Sequence, residues 1–183
     1  MTSSPTVLVL EDSKMSETLC DYYRDFGFEA CYFEIPDSAI DALKTARLDF
    51  DVAIVDIWLN WPGEGQLDPR AGITVLKKML AIHSALPIIM ITAHSDEPGV
   101  NYREECRTLG AFGFVAKGTP TFWNDLNALI YKGAVQSISQ RLGVDSQALS
   151  RDTFVASSQA QEQLLNRYRT VVEFGREVGV ADI

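Results

Sequence analysis

Long apolar runs are missing from this 183-residue chain. No stretch approaches the roughly 20 residues that a helical membrane span needs, so no spanning helix is expected. The N-terminus lacks a basic segment followed by an apolar stretch and a small-residue cleavage site, so no secretory signal is expected either. Histidine is scarce: His83 and His94 are the only two, too few for most histidine-based metal centres. The three cysteines, Cys20, Cys31 and Cys106, are an odd number without CxxC spacing. They suit reduced, buried thiols in a cytoplasmic protein better than a disulfide framework. Positive charge is also in deficit, with a formal net charge of −9. That disfavours broad attraction to nucleic acid or an anionic membrane, while leaving room for a small basic face.

What is present is a globular composition. Hydrophobic content of 46% against 22% charged is enough to bury a core, and the length allows one ordinary domain with an appendage or two small domains. Short β-rich apolar runs fall at 6–10, 31–35, 50–57, 87–93 and 113–117. Val7 to Leu10 and Val52 to Val55 are continuous rather than alternating, as expected of strands covered on both faces. Between the runs the spacing turns helical. Residues 13–26 carry Met15, Leu19, Tyr22 and Phe26, with Gly27 as a stop. Asp37, after Pro36, is placed to cap a helix over 38–46. Residues 71–82 carry Ile73, Leu76 and Leu80, residues 102–109 end at Gly110, and Thr121 can cap a helix beginning with Phe122 and Trp123. Alternating strands and helices with right-handed crossovers predict an α/β, doubly wound, mostly parallel five-stranded sheet with helices on both faces.

In such folds the site forms outside the carboxyl ends of the strands. Those ends present Glu11 and Asp12, then Asp56, Thr92 and Lys117. Three carboxylates repel one another unless a cation sits among them, and hard oxygen ligands suit Mg²⁺. A lysine and a threonine beside that cation can bind the oxygens of a phosphoryl group. Asp56 is already ionised and can attack phosphorus without a base, giving an acyl phosphate. Taken singly, the acids read as a helix cap or a turn, Thr92 as strand filler and Lys117 as a solvated charge. Five matched groups at one mouth read as a site.

The segments Val7-Leu-Val-Leu-Glu-Asp-Ser13, Val52-Ala-Ile-Val-Asp-Ile57, Ile88-Ile-Met-Ile-Thr-Ala93 and Gly110-Ala-Phe-Gly-Phe-Val-Ala-Lys-Gly118 together resemble a response-regulator receiver domain of bacterial two-component systems. The resemblance spans about residues 5–133. It implies a flavodoxin-like sheet of order 2-1-3-4-5, with a receiver at 1–133 and a helical C-terminal extension at 134–183. It implies a phosphoacceptor signalling switch of a phosphorelay rather than an enzyme, with Asp56 phosphorylated by a histidine kinase or phosphotransfer protein. Asp12, Asp56 and the backbone carbonyl of Trp58 would ligate Mg²⁺, with Glu11 acting through water. Thr92 and Lys117 would hold phosphoryl oxygens. Phe114, three before the lysine, stands where the family places its aromatic switch. Thr92 and Phe114 would move together and reshape the face around the fourth helix and fifth strand.

Three departures stand out. The segment 58–72, with Trp58 and Trp61, is longer than the family's loop after the phosphoacceptor. It reads either as a tolerated surface insertion or as a flap that shields the site or meets a partner. Trp58 and His94 lie two beyond Asp56 and Thr92, and the resemblance places those positions beside the path of hydrolytic water. Bulky Trp58 is therefore expected to slow dephosphorylation. Lys117-Gly118 replaces the usual Lys-Pro, so this peptide is expected to be trans or the loop more flexible. Residues 96–101 form a slightly extended entry to the fourth helix.

Beyond residue 132 the resemblance ends. Residues 134–142 continue as helix, Gly143 is a stop, and Asp145-Ser146 restart a short helical pattern. Residues 160–178 form an amphipathic helix with Leu164, Leu165, Tyr168, Val171 and Val172 on one side. That stripe must be buried, by docking on the receiver or by pairing with a second subunit or another protein. Residues 137–151 resemble a helix-turn-helix, which gives a DNA-binding transcriptional regulator as one alternative. From Arg141 onward, however, five arginines and no lysines face six acids, a poor match to phosphate. A metal-dependent phosphohydrolase using an aspartyl phosphate is the other alternative, against which stands the lack of an obvious substrate cap. Protein–protein output is the leading expectation.

Overall fold

The computed structural model describes residues 4–45, 49–60, 67–68, 70–94, 101–145, 149 and 156–181. In chain order the elements are β1 (Thr6–Leu10), α1 (Met15–Asp25), β2 (Glu29–Phe33), α2 (Pro36–Lys44), β3 (Val52–Asp56), β4 (Leu59–Asn60), β5 (Leu67–Asp68), α3 (Ala71–Ile82), β6 (Ile88–Thr92), α4 (Tyr102–Leu109), β7 (Gly113–Ala116), α5 (Phe122–Leu142) and α6 (Gln159–Glu177). Five strands form one parallel sheet in the order β2-β1-β3-β6-β7. Counted among sheet strands alone this is 2-1-3-4-5. β4 and β5 form a separate antiparallel pair within the segment after Asp56.

The continuous apolar runs fold as they do because each strand serves two cores. Val7 and Val9 on β1, Val52 and Ile54 on β3, and Ile89 and Ile91 on β6 face α1, α5 and α6. Leu8, Leu10, Ala53, Val55, Ile88 and Met90 face α2, α3 and α4. Period-two geometry sends neighbours to opposite sides, so a strand covered twice has no polar position to spare.

Two local expectations shift. The second strand lies at Glu29–Phe33 rather than 31–35; as an edge strand it has mixed burial, so its apolar signal is weak. Asp37 does not cap α2. Pro36 opens the helix, Ile35 is the N-cap, and Asp37 sits in the first turn, where its charge suits the helix dipole. Asn101 caps α4 by accepting from the Glu104 amide at 3.1 Å. Residues 96–100 and the restart at Ser146 lie outside the described residues.

The C-terminal stripe is buried against the receiver. Leu164, Leu165, Tyr168, Val171 and Phe174 of α6 join the core beside Leu19, Cys20 and Tyr23 of α1 and Ile130, Ala134 and Ile138 of α5. Burying each such large side chain is worth about 1.5–3 kcal/mol. Phe174 meets Tyr23, Phe26 and Phe28 edge to face at centroid distances of 5.9, 5.2 and 5.2 Å. At the start of β3, the fully buried Asp51 accepts from the Thr6 amide at 2.7 Å and from Arg167 of α6 at 3.1 Å, and also pairs with Arg141 of α5. Burial, then the like charge of Arg167, pulls Arg141 down to about 10.

Candidate functional site

Two adjoining parallel strands set the geometry. β1 ends in Leu10 and hands on Glu11 and Asp12, while β3 ends in Asp56, one strand away in the sheet. One carboxylate oxygen from each of Glu11, Asp12 and Asp56 lies within 4.8 Å of the others. Glu11 is fully buried and Asp56 is 5% exposed. Glu11 is fixed by Ser13, whose amide and hydroxyl donate to its carboxylate at 2.9 and 2.8 Å. The resemblance gave Ser13 no part in the site; a hydroxyl two residues after a buried acid was the available signal.

Lys117 reaches the same mouth from the end of β7. Its ammonium donates to Asp56 Oδ2 at 2.6 Å and to Glu11 Oε1 at 2.8 Å. The backbone is steered by Gly118, whose φ is +76°, a left-handed turn that glycine makes without strain. No peptide bond among the described residues is cis. The Lys117–Gly118 link is trans, and the lysine still reaches both acids. Thr92 ends β6 fully buried, and its Oγ1 accepts from the His94 amide at 3.0 Å.

The electrostatics follow from burial against one ammonium. Burial raises Asp56 to about 6 despite the opposing pull of Lys117. Burial also pushes Glu11 upward, yet Lys117 and Ser13 outweigh it and hold Glu11 below the usual carboxylate range. Lys117, which burial alone would lower, is instead raised by Asp56 and Glu11. Asp56 and Glu11 share the Lys117 ammonium with Asp12 beside them, a cluster of hard oxygen donors that suits a divalent cation.

The segment after Asp56 is tied to this mouth at its base. The Trp58 amide approaches Asp56 Oδ1 at 3.4 Å, and Leu59 is fully buried. The indole of Trp58 stacks on the imidazole of His94, centroids 3.9 Å apart and planes 26° from parallel. The longer segment is therefore partly core at its base, although Trp61 lies outside the described residues. Gly72, where α3 begins, is required by contact: a Cβ there would lie 2.0 Å from the carbonyl oxygen of Asp56. Phe114 is partly buried on β7 with the guanidinium of Arg103 4.8 Å above its ring centre. That contact had no visible signal in the sequence. The described residues contain no helix long and apolar enough to cross a membrane.

The response regulator receiver domain family matches residues 7–122, and the chain belongs to this family. Transcriptional regulatory protein FixJ of Bradyrhizobium diazoefficiens is 32% identical over 118 residues, which is 64% of this chain and 51% of FixJ. The chain thus spans about half the length of that relative. A receiver domain from Clostridium thermocellum superposes with a TM-score of 0.57 at 18% identity, covering 71% of this chain and 94% of that one. The unphosphorylated HemR receiver domain from Leptospira biflexa gives 0.56 at 22% identity, covering 69% and 94%. The receiver domain of a sensor histidine kinase from Pseudomonas aeruginosa PAO1, solved with magnesium in its active-site cleft, gives 0.54 at 19%, covering 72% and 98%.

Proposed function

We propose that Asp56 is the phosphoacceptor of a two-component signalling switch. The observation that carries this reading is the Lys117 ammonium, held 2.6 Å from Asp56 and 2.8 Å from Glu11 beside a three-carboxylate cluster. An Asp56 oxygen attacks phosphorus and forms the P–O bond of an acyl phosphate. The P–N bond of a phosphohistidine donor breaks, and its electron pair stays on the imidazole. Lys117 and Thr92 bind the phosphoryl oxygens, and Phe114 is the aromatic element that responds with Thr92. The donor class is a histidine kinase or phosphotransfer protein.

The donor set fits Mg²⁺: hard carboxylate oxygens, clustered and largely buried. Asp12 and Asp56 would ligate it directly, with the backbone carbonyl of Trp58, and Glu11 through water. When bound, the cation supplies charge neutralisation for the incoming phosphoryl group. The chain acts as an acceptor rather than a turnover catalyst. Free Cys20, Cys31 and Cys106 suit a reducing compartment such as the cytoplasm.

Output through protein contacts is favoured over DNA binding. FixJ is named a transcriptional regulator, but the match covers half of it. Within the helix-turn-helix-like segment, Ser137, Ile138, Ser139 and Leu142 are buried in α5, and Arg141 is committed to Asp51. Intact-mass measurement after acetyl phosphate with Mg²⁺ tests the central claim. Wild type should gain one phosphoryl group and Asp56→Ala none. A wild type that gains nothing, or an Asp56→Ala protein that gains as much, would overturn it.

A further inference from the structure

We propose that α6 is a resident occupant of the α1–α5 face, docked in both signalling states, so that no partner helix or second copy can use that face. Three independent features hold it. The first is apolar: Leu164, Leu165, Tyr168, Val171 and Phe174 are buried in the core shared with α1 and α5. The second is close fit. Thr170 lies 3.3 Å from where a Cβ on Gly27 would stand, and the Tyr131 ring lies 2.6 Å from where one on Gly175 would stand. The third is ionic. Arg167 is 2% exposed and donates both to the Asp51 carboxylate at 3.1 Å and to the Asp49 carbonyl at 3.2 Å.

The ionic contact fixes register. A stripe of apolar side chains tolerates sliding, whereas a guanidinium at the buried end of the sheet must meet its carboxylate or remain uncompensated. Only one axial position of α6 puts Arg167 beside Asp51. The outward side of α6 carries the exposed Glu162, Arg169, Glu173, Arg176 and Glu177, a solvated face with no second apolar stripe to recruit another subunit. Typical couplings between a ligand and a distant site amount to about 5–150-fold. A helix held by five large buried side chains and a buried ion pair lies beyond what such a coupling releases. Phosphorylation at Asp56 therefore leaves α6 in place, and contacts made by the activated chain are confined to other faces.

Hydrogen exchange on the full chain tests this, with and without beryllium trifluoride and Mg²⁺ as the phosphoryl mimic. The expected result is that α6 amides exchange as slowly as those of α5 in both states, independent of protein concentration. Arg167→Ala should accelerate exchange of α6 at least about tenfold while α4 is unchanged, because α6 opens locally. Exchange of wild-type α6 at the rate of an exposed segment would overturn the proposal. So would a rise on adding the mimic of about fivefold or more, the lower end of such couplings, or protection that disappears on dilution, the mark of a second copy as occupant. If the mimic changes no amide near Asp56 or Thr92, the phosphoacceptor reading fails instead, and the exchange of unliganded α6 still decides the docking claim.

Discussion

Replacing Asp56 by asparagine should make the cation-free protein more stable. In the folded chain the carboxyl is raised from 3.8 to about 6, with burial the largest cause. That displacement corresponds to about 3 kcal/mol favouring the neutral over the ionised group. The sign follows from proton counts: between these two values the folded state holds more protons at this site than the unfolded state, so stability falls as pH rises through the window and levels off above it. At pH 7.5 the ionised carboxylate thus costs up to about 3 kcal/mol, net of its attraction to Lys117. Asparagine removes that cost, and Lys117 keeps Glu11 as a partner. We expect Asp56→Asn to gain about 1–3 kcal/mol in urea unfolding followed by circular dichroism in EDTA at pH 7.5. The gap should fall to roughly half at pH 5, where the wild type has taken up its proton. Millimolar Mg²⁺ should also narrow it, because binding to the folded wild type stabilises that state by mass action. A variant less stable than wild type in EDTA at pH 7.5, or a gap that widens toward pH 5, would refute the reasoning.

Three further substitutions probe the same mouth. Trp58→Asn removes the ring stacked on His94 and should speed loss of the phosphoryl group about tenfold, equivalent to about 1.4 kcal/mol of barrier; an unchanged decay followed by intact mass rejects the shielding role. Gly118→Ala forces a side chain into the left-handed region at φ +76° and should cost about 1–2 kcal/mol, read as a lower urea midpoint. Gly72→Ala puts a methyl group 2.0 Å from the Asp56 carbonyl oxygen and should lower stability by about 1–3 kcal/mol or more. A melting temperature equal to wild type would show that α3 can shift away from β3.

The sheet order and the clustering of Glu11, Asp12, Asp56 and Lys117 are legible because both depend on short-range chemistry. Val7 to Leu10 and Val52 to Val55 announce strands covered twice, and the acids that follow them fall at the one end where such sheets bind ligands. The bounds of the second strand are not legible because Glu29, Tyr32 and Phe33 on a half-covered edge carry no clean period. Asp37 has the residue type of a cap, yet Pro36 sets the first helical turn ahead of it. Contacts of long sequence separation were not legible. Arg167 meets Asp51 across 116 residues, and the sequence shows each as an ordinary surface charge. The amphipathic stripe of α6 was visible, but not the surface it covers, since a stripe records that burial occurs and not where.

Asp51 immediately precedes β3 and Asp56 ends it, and their surroundings differ. Asp51 meets two guanidiniums that stay charged at any ordinary pH, so its charge is permanently answered and its place is structural. Asp56 shares a single ammonium with Glu11, and Asp12 adds a third carboxylate nearby. On the proposed reading, that shared ammonium leaves room for a divalent cation and then a phosphoryl group. A second fixed cation at that mouth would stabilise the resting protein and leave less acceptor charge for the proposed metal. The same residue type is thus an anchor beside two guanidiniums and, on the proposed reading, a reactive group where one ammonium is shared.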